Sequence, residues 1–112
     1  MSAQKITSHH TEAAPAAIGP YSQSVSHAGI LYTSGQVAID PATGELVPGG
    51  FEAQAEQVFR NLKQVLASAG AGFPDVLKAT VYLASMADFP VLNRIYSAAF
   101  GRNLNPAISA EE

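Results

Sequence analysis

An α+β fold, a mixed sheet with two helices on one face, is predicted by three features of this 112-residue chain. Residues 22–39 hold two runs of period-two alternation joined by a turn signal, and residues 51–69 hold the longer period of one helical face. A further strand-like run over 76–83 then leads into a second helical pattern over 88–100. Strand, strand, helix, strand, helix is the order of a single small two-layer domain.

The first 12 residues are polar and aperiodic and read as a flexible leader, with the domain over 13–112. His9 and His10 are neighbours there. Adjacent side chains point apart in extended chain, which does not suit a shared metal. Gly19-Pro20-Tyr21 marks a corner, because Pro20 fixes its own φ and pushes the residue before it toward extended backbone. Tyr21 reads either as a ligand contact or as a core-edge aromatic with its hydroxyl satisfied.

His27-Ala28-Gly29 is a hairpin signal. Ile30 to Ile39 then alternates, with Leu31, Thr33, Gly35, Val37 and Ile39 on one side and Ile30, Tyr32, Ser34 and Gln36 on the other. A glycine inside such a strand packs nothing, so Gly35 signals a bulge or the close approach of a ligand or a neighbouring strand. Asp40 to Glu45 reads as a turn. From Phe51 the apolar residues fall at Phe51, Ala55, Val58, Phe59, Leu62, Val65, Leu66 and Ala69, a packing helix that stops at Gly70.

In the run over 76–83, Leu77, Ala79, Val81 and Leu83 oppose Lys78, Thr80 and Tyr82, the pattern of a half-buried strand. A crossover from Ile39 to Val76 is expected to be right-handed if the two strands are parallel. Asp88 is a candidate N-cap, with Pro90 tolerated in the first turn. Val91, Leu92, Ile95, Tyr96, Ala99 and Phe100 then form the second helix face, closed by Gly101. Asn93 and Arg94 lie off that face and read, on spacing, as solvated. The tail from Arg102 leaves no room for another strand and helix pair.

The bulk composition narrows the function classes. Hydrophobic residues make up 47% of the chain and charged residues only 13%, against roughly 25% charged in an average soluble domain. So sparse a surface charge suggests that a partner, another copy of the chain, covers part of it. A net charge of −3 offers no electrostatic footprint for phosphate backbones or anionic lipid. No run of about 18 apolar residues is present to span a membrane and no signal-like apolar core opens the chain, so a cytoplasmic setting is expected. With zero cysteines, disulfides, thiolate catalysis and cysteine-ligated metals are excluded. The chain holds no P-loop, no G-x-G-x-x-G, no H-E-x-x-H and no nucleophile elbow.

The runs APAAIGPYSQSV, ILYTSGQVAIDPATGELV, VFRNLKQVLASAG and DVLKATVYLASMADFPVLNRIYSAAF together resemble the RidA (YjgF) family of reactive-intermediate imine deaminases, over residues 13–109. The resemblance implies a chorismate-mutase-like α+β fold and a homotrimer with clefts between subunits. It also implies hydrolysis of 2-imino or enamine acids to 2-oxo acids and ammonia, with no cofactor and no metal. Tyr21 matches the tyrosine of the family's IGPY motif that lines the cleft. Gly35 matches the glycine of TSGQ whose backbone meets the ligand, with Ser34 beside it. Asn93 matches the asparagine of the family's N-x-x-Y motif at the edge of the site, and Ala110 falls where backbone contributes to the cleft.

One departure bears on catalysis. The family's P-A-R-S motif supplies an arginine whose planar guanidinium clamps the substrate carboxylate, and here the motif reads Pro106-Ala107-Ile108-Ser109. With Ile108 at that position, no catalytic residue is assigned. Arg94 and Arg102 read as surface charge. The family pattern also continues into two more strands, the last bearing a glutamate that positions water, so this chain is expected to be truncated relative to it, with those C-terminal strands missing. The resemblance therefore implies a small 2-imino or 2-oxo acid as ligand and self-association, with neither nucleic acid nor membrane as partner. Two other functions stay open: a non-catalytic small-carboxylate-binding or interaction module, and an endoribonuclease-like activity, which the negative charge opposes.

Overall fold

The computed structural model describes residues 5–101 and 107–111. Its strands are β1 (Thr7–His9), β2 (Ser24–His27), β3 (Ile30–Thr33), β4 (Ile39–Asp40), β5 (Glu45–Leu46), β6 (Lys78–Tyr82) and β7 (Ala107–Glu111), with helices α1 (Gly50–Ser68) and α2 (Phe89–Phe100). β1, β2 and β3 form an antiparallel sheet in that order, β4 and β5 an antiparallel ladder, and β6 and β7 a parallel one. The expected α+β architecture with two helices is present.

β2 and β3 meet at the turn foreseen at His27-Ala28-Gly29, with His27 opposite Ile30. Both central residues take positive φ, +54° at Ala28 and +82° at Gly29. That is the primed hairpin geometry whose twist matches the flanking strands. Glycine accepts it freely, whereas alanine adopts it against the clash of its β-carbon.

The flexible leader is corrected from Thr7 onward. Thr7, Ser8 and His9 pair with Ser26, Val25 and Ser24, and His9 Nε2 lies 3.0 Å from Ser26 Oγ. This strand carries no apolar alternation because it sits at a sheet edge with mostly exposed side chains, so the backbone ladder holds it without help from hydrophobic pattern. The buried Gln23 amide adds a second anchor, accepting from Thr11 N at 2.7 Å and donating to the carbonyls of Thr11 at 3.0 Å and Pro15 at 2.8 Å.

The tail, expected to hold no further strand and helix pair, supplies one strand, Ala107–Glu111. β7 runs parallel to β6, with Ala79 opposite Ile108 and Val81 opposite Ala110. The intervening α2 makes β6-α2-β7 the parallel crossover unit. The crossover expected from Ile39 to Val76 does not join parallel neighbours, because β4 pairs with β5. Burial follows the alternation foreseen for β6, except that Leu77, just outside the strand, is 76% exposed.

The helices pack on each other through a ring cluster. Phe59 of α1 meets Tyr96 and Phe100 of α2 edge-on at centroid separations of 5.9 and 6.2 Å, and Phe73 meets Phe100 at 4.9 Å. Val65, Leu66, Leu92 and Ile95 complete this core. Asp88 stands at the N-cap of α2 without a side-chain cap bond. A 3₁₀ turn over Met86–Asp88 runs straight into the helix, and the capping bond sits one turn earlier, from Ala87 N to Ser85 Oγ at 3.2 Å.

Candidate functional site

The Gly19-Pro20-Tyr21 corner folds back on itself. Tyr21 N donates to Gly19 O at 2.8 Å, and Ile18 N donates to the Tyr21 hydroxyl at 3.3 Å. The ring is 52% exposed, so Tyr21 is not a core-edge aromatic, although its hydroxyl is engaged by the loop. Gln23, two residues on, fixes this loop to the sheet through the bonds to Thr11 and Pro15 described above.

Ser34 leaves β3 firmly anchored. Its N–H donates to Gln23 O at 2.9 Å and its hydroxyl to Ser22 O at 2.5 Å. Gly35 follows outside any ladder, because β3 stops at Thr33 rather than continuing to Ile39. Among the described residues its N–H and carbonyl find no hydrogen-bond partner. A β-carbon added at Gly35 would meet nothing within 4 Å. Of the causes expected for a glycine here, the close approach of a neighbouring strand is not found among the described residues. Its exposed backbone faces free space.

Tyr21, Ser34 and Gly35 converge on one small cavity of about 90 Å³, whose lining also includes Ile18, Gln23 and Gln36. The wall is mostly apolar, with backbone and amide groups as its polar points. That combination suits a compact ligand held by main-chain hydrogen bonds. A second, shallower depression of about 230 Å³ lies along Ser22, Ser24, Tyr32 and Thr33 and shares Ser34 with the first.

Asn93 and Ala110 do not join this cavity. Asn93 is exposed on α2, and Ala110 is half-buried on β7. Ile108, also on β7, is 42% exposed. Its parallel pairing puts it on the sheet face of Ala79 and Ala110. Arg94 is engaged elsewhere, donating from Nη2 to Glu52 Oε1 at 2.9 Å in an exposed pair. Arg102 lies outside the described residues. Gln23 and Gln36 were missed by sequence reasoning. The available signal for Gln23 was its place among serines at the start of a strand, where a long amide has many backbone groups within reach.

A family model described as Endoribonuclease L-PSP matches residues 11–112. Over 100 residues the chain is 50% identical to the 2-iminobutanoate/2-iminopropanoate deaminase of Mus musculus, covering 89% of this chain and 73% of that protein. The solved structure of RidA from an Antarctic Psychrobacter matches with a TM-score of 0.87 at 44% identity, over 93% of this chain and 83% of that one. E. coli TdcF, solved with bound serine, matches with a TM-score of 0.87 at 33% identity, over 95% of this chain and 85% of that one. On this shared fold and on sequence likeness over nearly its whole length, the chain belongs to the RidA family.

Proposed function

We propose that the chain binds small 2-imino and 2-oxo acids at the Tyr21–Gly35 cavity and that hydrolysis of 2-iminobutanoate-like imines is its activity. The observation that carries this reading is Gly35, whose main-chain groups are unbonded and face open space beside an apolar wall. A flat, carboxylate-bearing acid presents the acceptors such an amide needs. The name of the murine relative and the serine bound by the E. coli relative support a ligand of this class. The reaction balances without redox chemistry: water adds to the imine carbon, a C–O bond forms, the C–N bond breaks, and the two water protons leave on ammonia.

The assembly we propose is a cytoplasmic homotrimer. Asn93 and Ala110 lie away from the cavity of their own chain, and in a trimer they approach the Tyr21–Gly35 wall of a neighbouring copy. The exposed apolar residues Tyr32, Tyr82 and Leu77 are surface that such assembly would cover. Neither nucleic acid nor membrane is a partner in this reading. Among the described residues no helix is long and apolar enough to cross a bilayer, and a net charge of −3 gives RNA no basic stripe. A second reading, a non-catalytic binder of small carboxylates, is favoured by one feature: the apolar Ile108 stands where the family's arginine is expected.

Release of ammonia from freshly generated 2-iminobutanoate separates the two. Acceleration over buffer supports the deaminase. No acceleration, with 2-oxobutanoate still shifting the Gly35 amide resonance, supports the binding module. RNA binding that weakens steeply with salt would overturn both.

A further inference from the structure

Residues 34–38 lie between β3 and β4 outside any ladder, and Ile39 opens the short β4–β5 ladder; carbonyls that no ladder bond satisfies need other donors. Ile39 N donates to Val37 O at 2.8 Å, and the carbonyls of both Val37 and Ile39 also accept from one side chain of α1. Asn61 Nδ2 donates to Val37 O at 3.0 Å and to Ile39 O at 2.9 Å. Asn61 has no exposed surface at all, and asparagine is one of the weaker helix formers. A wholly buried asparagine in the middle of a helix is retained for its hydrogen bonds, since any apolar residue would favour both helix and core.

The amide is itself held in place. Gln57, one turn earlier on α1 and also buried, donates from Nε2 to Asn61 Oδ1 at 2.8 Å. This fixes which end of the Asn61 amide faces the loop. Gln57 Oε1 in turn accepts from Arg60 Nη2 at 3.1 Å. A relay therefore runs from the helix surface through two buried amides to the carbonyls two and four residues past Gly35. On the other side Ser34 is tied to the sheet by its N–H and hydroxyl. Gly35 hangs between two anchors, and its own N–H and carbonyl are left for something else.

We propose that Asn61, oriented by Gln57, is a positioning residue that holds the Gly35 backbone amide in its ligand-binding geometry. The helix thus contributes to the site without touching the ligand, and the site is organised before the ligand arrives. This deepens the reading of Gly35 as a ligand contact and rests on it.

The test is made on the whole chain, ¹⁵N-labelled, at a temperature where thermal melting shows each variant folded. Asn61→Asp keeps the shape but points a carboxylate oxygen at two carbonyls. It is expected to lower the heteronuclear NOE of the Gly35 amide in the free protein and to weaken 2-oxobutanoate binding about tenfold. In the deaminase assay KM is expected to rise more than kcat falls. Gln57→Met leaves the Asn61 donor in place and removes only its orienting partner, so a smaller effect in the same direction, about threefold, is expected. A lowered melting temperature with the Gly35 NOE and the 2-oxobutanoate affinity unchanged, in either folded variant, would overturn the proposal and leave Asn61 a structural residue. Failure of the unmodified protein to release ammonia would sink the deaminase reading alone, because the order of the Gly35 amide is read without turnover.

Discussion

The ring of Tyr21 lies so close over Gly19 that a β-carbon at Gly19 would sit 3.3 Å from Tyr21 Cε2 and 3.4 Å from Cδ2. A methyl group at that distance forces the ring to give way. Gly19→Ala is therefore expected to shift the Tyr21 ring by a few tenths of an ångström and to lengthen the bond from Ile18 N to the Tyr21 hydroxyl, already 3.3 Å. Because Gly19 and Tyr21 are both exposed, the stability cost is small, within about 0.5 kcal/mol. Titration with 2-oxobutanoate should show affinity lowered about fivefold at nearly unchanged melting temperature. Unaltered affinity would mean that the ring plays no part in binding.

Gly35→Ala makes the complementary case. The position has room for a methyl group, with nothing within 4 Å, and its φ is outside the left-handed region. The fold should accept alanine, even gaining a few tenths of a kcal/mol from the lower chain entropy of the unfolded state. The free space next to the backbone is where the ligand is proposed to lie, so binding should fall at least tenfold. Loss of stability together with unchanged binding would reverse the assignment.

Ile108 offers a gain-of-function test of the proposed activity. It sits 42% exposed on β7, so a longer polar side chain is accommodated with its head in water. Ile108→Arg restores a planar donor fork for the substrate carboxylate. If the β7 face of one copy meets the Tyr21–Gly35 wall of another, kcat/KM for 2-iminobutanoate should rise tenfold or more, a charge-assisted pair contributing about 1.5–3 kcal/mol. An equal increase in a variant with arginine at exposed Ala98 would show that general charge, and not position, is responsible.

The helices were legible because their signal is local. Val65, Leu66, Leu92, Ile95 and Phe100 recur at helical spacing, and each is buried. The hairpin at Ala28-Gly29 was legible for the same reason, a two-residue turn flanked by alternation. What escaped was held by partners distant in sequence. Thr7–His9 has no apolar residue to announce it and is a strand only because Ser24–Ser26 offers a ladder. Ala107–Glu111 is too short to show a period and becomes a strand beside Lys78–Tyr82. Asn61 breaks the apolar face of its helix, and nothing near it in sequence says that the carbonyls it serves are those of Val37 and Ile39. For the site, Gly35 was visible as a misfit within a strand pattern, while its free main-chain groups belong to the three-dimensional path alone.

Ala28 is the strained half of the hairpin turn, at φ +54°. Left-handed backbone costs a non-glycine residue about 1 kcal/mol, and asparagine tolerates it best among the others. Ala28→Asn also creates the Asn-Gly pair that primed turns favour. Thermal or urea unfolding should show a gain of about 0.5–1 kcal/mol with activity unchanged, since the turn lies outside the cavity lining. No gain would indicate that the strain is relieved by the surrounding structure.

Tyr96 carries a titration signature. Its side chain is 7% exposed in the ring cluster, and among the described residues its buried hydroxyl has no hydrogen-bond partner. Burial raises its pKa above the ordinary 10.0, because the phenolate loses more solvation than the phenol. The sign follows from proton counts. Above pH 10 the unfolded chain releases this proton while the folded chain keeps it, so the unfolded state binds fewer protons and stability falls as pH rises. Below pH 10 the group is protonated in both states and the slope vanishes. Tyr96→Phe removes the unsatisfied hydroxyl and should raise stability at neutral pH by up to about 1 kcal/mol. It should also flatten the decline in unfolding free energy as pH rises above the ordinary tyrosine value of 10.0. If the variant is instead destabilised at neutral pH, the hydroxyl has a partner, and repeating the comparison across protein concentrations would show whether a second copy supplies it.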